Sequence, residues 1–132
     1  MIAYHLEVTS FEPTARLSKS ILERTDDVLA SLAGLSGNSV VYVAAIEGNG
    51  DLGNFYLFLN GGERAHVMLH EHREFLPRDP LSADAMGEVT FLDEDGTQFT
   101  VPGVLTTSAD RARAALEHWL PRQEYWPEFS WE

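Results

Sequence analysis

The chain has 132 residues, no cysteine, and 21 acidic against 9 basic residues, for a formal net charge of −12. That length makes one domain, residues 1–132, able to bury its own core without staples, and the lack of cysteine excludes a disulfide framework and a thiolate zinc site. The densest basic stretch is the scattered Arg16, Lys19 and Arg24, too sparse to displace counterions from phosphates, so nucleic acid is disfavoured as a ligand.

The hydrophobic fraction of 44% with 11% aromatics is that of a folded protein. From Asp79 onward the chain carries 11 acidic and 3 basic residues. That excess serves either solubility or a basic partner. Met1 to Glu7 lacks the basic and apolar regions of a signal peptide, and the longest apolar run, Val40 to Ile46, is too short to span a bilayer. A cytoplasmic location and no membrane partner are expected.

In chain order, Ile2 to Val8 alternates as a strand, and a turn follows around Pro13. A first helix is expected next, with Ile21, Thr25, Val28, Leu29 and Leu32 on its apolar stripe. Ser20 and Glu23 would form a capping box, and Gly34 would end it in the left-handed conformation. Three strands in an antiparallel meander come after it: Ser39 to Glu47, Phe55 to Leu59 and Arg64 to His70. The first two are nearly continuous apolar runs, suited to the middle of a sheet, and Asn60-Gly61-Gly62 is a hairpin signal.

Glu71 to Gly87, with Pro77 and Pro80, reads as a long irregular connection. Glu88 to Leu92 and Thr97 to Val101 then alternate around Asp93-Glu94-Asp95-Gly96 as a hairpin, with Val89, Phe91, Phe99 and Val101 expected to face the core. A second helix runs from a Thr107 or Ser108 cap to Pro121, burying Ala112, Ala115, Leu116, Trp119 and Leu120. The pattern is α+β: a single antiparallel sheet of about six strands with two helices packed on one face, because each helix has one apolar stripe.

Three short motifs suggest chemistry. Gly48-x-Gly50-x-x-Gly53 matches a dinucleotide-binding fingerprint, but strand-like Phe55 to Leu59 follows where a helix is required, so it reads as a hairpin loop. His66, His70 and His72 are weak metal candidates by their spacing on a strand, and solvated imidazoles on the outer face of an edge strand account for them better. Asp93-x-Asp95-Gly96 does not complete a calcium loop, since Pro102 stands where the twelve-residue pattern needs glutamate. Neither a catalytic constellation nor a cofactor is indicated.

The ending is the most distinctive stretch. A hairpin with Val89 and Phe91, then Pro102, the helix alanines Ala112 and Ala115, and a closing Pro127-x-x-x-Trp131 resemble, in that order, the first immunity-protein family of bacterial polymorphic toxin systems. Leu120-Pro121-Arg122 stands where that family commonly has glycine, and Trp126 is an additional aromatic. The resemblance implies a small cytosolic α+β protein, not an enzyme, that binds and silences a cognate toxin, often a nucleic-acid deaminase. Its partner would be a basic toxin domain, and the free protein a monomer or weak dimer.

The acids expected to face such a partner are those that loops present: Asp51, Glu71, Glu74, Asp79, Asp93, Glu94 and Asp95. Trp126, flanked by Glu124 and Glu128, is the expected aromatic anchor. The competing readings are a metal-dependent enzyme built on the three histidines and an acidic scaffold subunit.

Overall fold

The two apolar-on-both-sides runs occupy the centre of a seven-stranded antiparallel sheet in a computed structural model that describes residues 1–12, 14–35 and 37–131. The elements are β1 (Ile2–Ser10), β2 (Arg16–Leu22), α1 (Thr25–Ala30), β3 (Asn38–Glu47), β4 (Gly50–Asn60), β5 (Arg64–His70), β6 (Glu74–Phe75), β7 (Glu88–Leu92), β8 (Gln98–Pro102), β9 (Thr106–Ser108) and α2 (Ala109–Trp119). The sheet runs β2-β1-β3-β4-β5, and both β6 and β9 then pair with the far edge of β5, at its opposite ends. β7 and β8 form a separate two-stranded hairpin.

One face of the sheet carries the main core. Val41, Val43 and Ala45 of β3, Phe55, Leu57 and Leu59 of β4, and Ala65, Val67 and Leu69 of β5 meet Val28 and Leu32 from the first helical segment and Ala112, Ala115, Leu116 and Trp119 from α2. Leu29 packs against the same cluster, so both helices lie on one face, as their single apolar stripes require. Ser108 caps α2 by accepting the Arg111 N–H at 3.1 Å, and the Tyr4 hydroxyl donates to the Leu120 carbonyl at 2.6 Å, tying β1 to the end of the helix.

Two expectations are corrected. Arg16–Leu22 is a strand rather than the approach to the first helix, so Ser20 and Glu23 form no capping box; the helix is only Thr25–Ala30, with Arg24 at its N-cap. Leu17, Lys19 and Ile21 alternate with Ser18 and Ser20, and pairing with β1 from Tyr4↔Leu22 to Ser10↔Arg16 overrides the weaker helical period. Ile21, expected on the buried stripe, is 69% exposed. Gly34 does take a positive φ, of 80°.

The second correction concerns the hairpin. Phe91, with Val89, Phe99 and Val101, packs on Val40 and Phe58, on the face opposite the helices. A pair of central strands apolar on both sides needs cover on both sides, and β7-β8 supplies the second layer. The expected turn at Pro13 lies outside the described residues. The fingerprint glycines Gly48, Gly50 and Gly53 form the β3-β4 turn and its bulged start. Gly53 has φ +143°, and a Cβ there would come within 2.9 Å of the Glu71 side chain. Among the described residues, no helix is long and apolar enough to cross a membrane.

Candidate interaction surface

The hairpin covers only part of its face. Directly paired residues of a sheet share a face, so the register defines three rows across it. The first, Thr9–Val40–Phe58–His66, lies mostly beneath β7-β8. The second is Lys19–Glu7–Tyr42–Tyr56–Met68, and the third Ile21–His5–Ala44–Asn54–His70–Glu74. Tyr56 and Met68 of the second row pack against the cluster under the hairpin and Ala44 of the third is buried, while the other residues of these two rows range from half-buried to exposed. Tyr42 and Tyr56 stand with ring centroids 4.9 Å apart, and Tyr56 stacks on Phe58 at 6.0 Å, so the second row continues the aromatic cluster under the hairpin.

Acids surround this open region. Glu7 lies within it, Glu74 ends one row, Asp51 enters from the start of β4 on the line of Ile46, and Glu94 reaches over it from the hairpin tip, where it shares a cavity with Glu7, Tyr42 and Tyr56. Burial foremost, and then the neighbouring charges, push both phenols above their ordinary range: Asp51 and Glu7 act on Tyr42, Glu94 and Glu7 on Tyr56. Lys19, 3.7 Å from Glu7, is the nearby cation.

Of the acids read from sequence, the fold gathers Asp51, Glu74 and Glu94 around this face, with exposed Asp95 beside Glu94. Asp93 belongs to the turn itself, because its Oδ1 accepts the N–H groups of Asp95 and Thr97, both at 2.9 Å. Glu71 and Asp79 are employed elsewhere. Glu71 accepts hydrogen bonds from Trp119 Nε1 at 3.2 Å and from the Tyr125 hydroxyl at 2.6 Å. That hydrogen bond, burial and the carboxylate's charge push Tyr125 up to about 12.

Asp79 is 3% exposed and receives Arg111 through two nitrogens, at 2.8 and 3.0 Å, as well as the Thr107 hydroxyl and the Leu81 N–H. Burial alone raises its carboxyl, but these donors outweigh it and hold it below the ordinary aspartate range. The expected aromatic anchor, Trp126, also makes contacts within the fold. It is half-buried, lies under the Arg111 guanidinium at 5.0 Å, meets Phe129 edge-on at 4.9 Å, and its carbonyl accepts Trp131 Nε1 at 2.7 Å. Its remaining edge lines an open groove with His118 and Glu124.

The residues matched to the closing motif divide between the two layers, Pro102 ending the hairpin and the others belonging to α2 and the tail. Ala112 and Ala115 are fully buried, Trp131 packs against the core, and Pro102 and Pro127 are exposed at the ends of β8 and of the tail turn. The three histidines are not drawn together. His66 is buried among Phe58, Phe91 and Phe99 with Nδ1 donating to the Leu105 carbonyl, His70 is exposed at the end of β5, and His72 packs edge-on against Phe75. Among the described residues, no group of three histidines and carboxylates has metal-holding geometry.

Reasoning from sequence missed Glu7, Tyr42 and Tyr56. Glu7 alternates visibly with Leu6 and Val8, but its meeting with Glu94 depends on where the hairpin folds. No family model, curated protein or solved structure matches the chain.

Proposed function

We propose that this chain is an immunity protein, acting in the cytoplasm without catalysis, that binds a basic toxin domain and blocks its nucleic-acid-binding surface. The observation that supports the reading is the part of the sheet face that the hairpin leaves uncovered, where Glu7, Asp51, Glu74 and Glu94 lie around the half-buried pair Tyr42 and Tyr56. A toxin that modifies nucleic acid must hold phosphate with basic groups. An acidic, tyrosine-bearing surface meets such groups with the opposite potential and speeds encounter. Tyrosines supply contact area at small entropic cost. The resemblance of the ending to an immunity family points the same way.

The test begins with the reading frame beside this one. Its product is expected to be a large secreted protein with a carboxy-terminal toxin domain. Co-expression of that domain with this chain should restore growth, and the two purified proteins should elute as one complex. Continued killing in the presence of well-folded chain would overturn the proposal.

A further inference from the structure

Between the hairpin tip and the sheet lies a cavity of about 110 Å³, lined by Glu7, Thr9, Val40, Tyr42, Tyr56 and Glu94. At roughly 10–15 Å³ of cavity space per water it has room for several waters, enough for the head of one side chain. Its chemistry is specific. Two carboxylates line it from different elements, Glu7 from β1 and Glu94 from the hairpin tip, and two half-buried tyrosine rings tilted by 57° form its corner, one face of Tyr56 being stacked on Phe58. Carboxylates in a fork select a planar or compact cation, and aromatic faces attract the same charge through their quadrupoles.

We propose that this cavity receives the guanidinium or ammonium head of one basic side chain from the partner protein. The idea rests on the toxin-binding reading and deepens it, by naming the chemical group at the centre of the interface. Lys19 already shows which charge the site favours: its ammonium reaches Glu7 from the adjacent strand at 3.7 Å while the side chain stays two-thirds exposed. It reaches Glu7 from the β2 side and is not among the residues that line the cavity. A partner's side chain entering from above the sheet meets both rings and Glu94, and competes with Lys19 only for Glu7. The hairpin's position makes this possible, because Glu94 overhangs the second row only when β7-β8 is packed on Phe58 and Val40.

The experiment needs no toxin. The folded chain with ¹³C-labelled tyrosine is titrated with N-acetyl-arginine amide and, separately, with the uncharged isostere N-acetyl-citrulline amide, and the ring signals are followed by NMR. Saturable shifts of Tyr42 and Tyr56 with arginine, with Tyr4 and Tyr125 unmoved and citrulline inert, are the expected result. Glu94→Gln should weaken arginine binding several-fold, and Lys19→Gln should strengthen it. Equal response to citrulline, shifts spread over all four tyrosines, or indifference to Glu94→Gln would overturn the proposal. Arginine binding by a chain that fails to neutralise its neighbour's toxin would leave the cavity assigned and overturn only the toxin reading. Neutralisation undiminished by Glu94→Gln together with Tyr56→Ala would overturn the cavity's role and leave that reading standing.

Discussion

Charge is used in two distinct ways in this molecule, and individual side chains show which. Asp79 is an internal acid: with Arg111, Thr107 and the Leu81 N–H around it, loss of its charge leaves a half-buried guanidinium without its partner. Asp79→Asn should therefore cost about 3 kcal/mol of stability at neutral pH, near the low end for broken buried pairs because Arg111 stays partly exposed, as chemical denaturation would measure. Since the folded state holds this carboxyl below its ordinary value of 3.8, its stabilisation is complete above that pH and is lost as pH falls through the lower folded value. His66 acts in the same direction. Burial depresses its protonation below 6.5, so the native state should weaken as pH falls below that value while the unfolded chain takes up the proton. Glu71 is a tether. Glu71→Ala should return the Tyr125 ionisation from about 12 to the ordinary tyrosine range near ~10, as a pH titration of ¹³C-labelled tyrosine rings would show, and should loosen the tail that Tyr125 and Trp119 hold. Trp126→Ala should lower the melting temperature, since the ring supports Arg111 and Phe129.

The hairpin β7-β8 decides the shape of the second face. Phe91 is fully buried beneath it, so Phe91→Ala should destabilise by about 3–5 kcal/mol. Ile21→Ser, at an exposed edge position, should change stability by less than about 0.5 kcal/mol; a helix with Ile21 on its buried stripe would instead lose several times that. These elements also show how far local sequence carries. Val40 to Ile46 and Phe55 to Leu59 declare central strands by being apolar on both sides, and Ala112 to Trp119 declares α2 by its period and its serine cap. Arg16–Leu22 was hidden because Ile21, Thr25, Val28 and Leu32 mimic a helical stripe, and only pairing with β1 settles the contest. β6 and β9 are too short to carry a period at all. For the candidate surface, Glu94 was legible because acids in turns project, while Asp51 and Glu74, read as loop acids, fall in β4 and β6 and reach this face by strand pairing. Asp79 and Glu71 look the same in sequence and differ only in the partners that the fold brings to them, Arg111 from 32 residues away and Tyr125 from 54.

Taken as a whole, the molecule places both helices on one face of the sheet and leaves part of the other face uncovered by the hairpin, ringed by carboxylates. A net charge of −12 gives long-range attraction to a basic partner whatever its detail, and the open face combines that charge with the tyrosine pair Tyr42 and Tyr56. The buried Asp79 and the tethering Glu71 should matter for stability, and the acids Glu7, Glu94 and Asp95 for encounter. The decisive comparison is the association rate with the basic toxin domain that the proposed function calls for, measured at low and physiological salt for the native protein and for the Glu7→Gln, Glu94→Gln, Asp95→Asn triple variant. A slowing of about tenfold at low salt, with a flatter salt dependence and an unchanged melting temperature, is the predicted result. Association equally fast in both proteins at both salt concentrations would mean that the open sheet face is not where the partner lands.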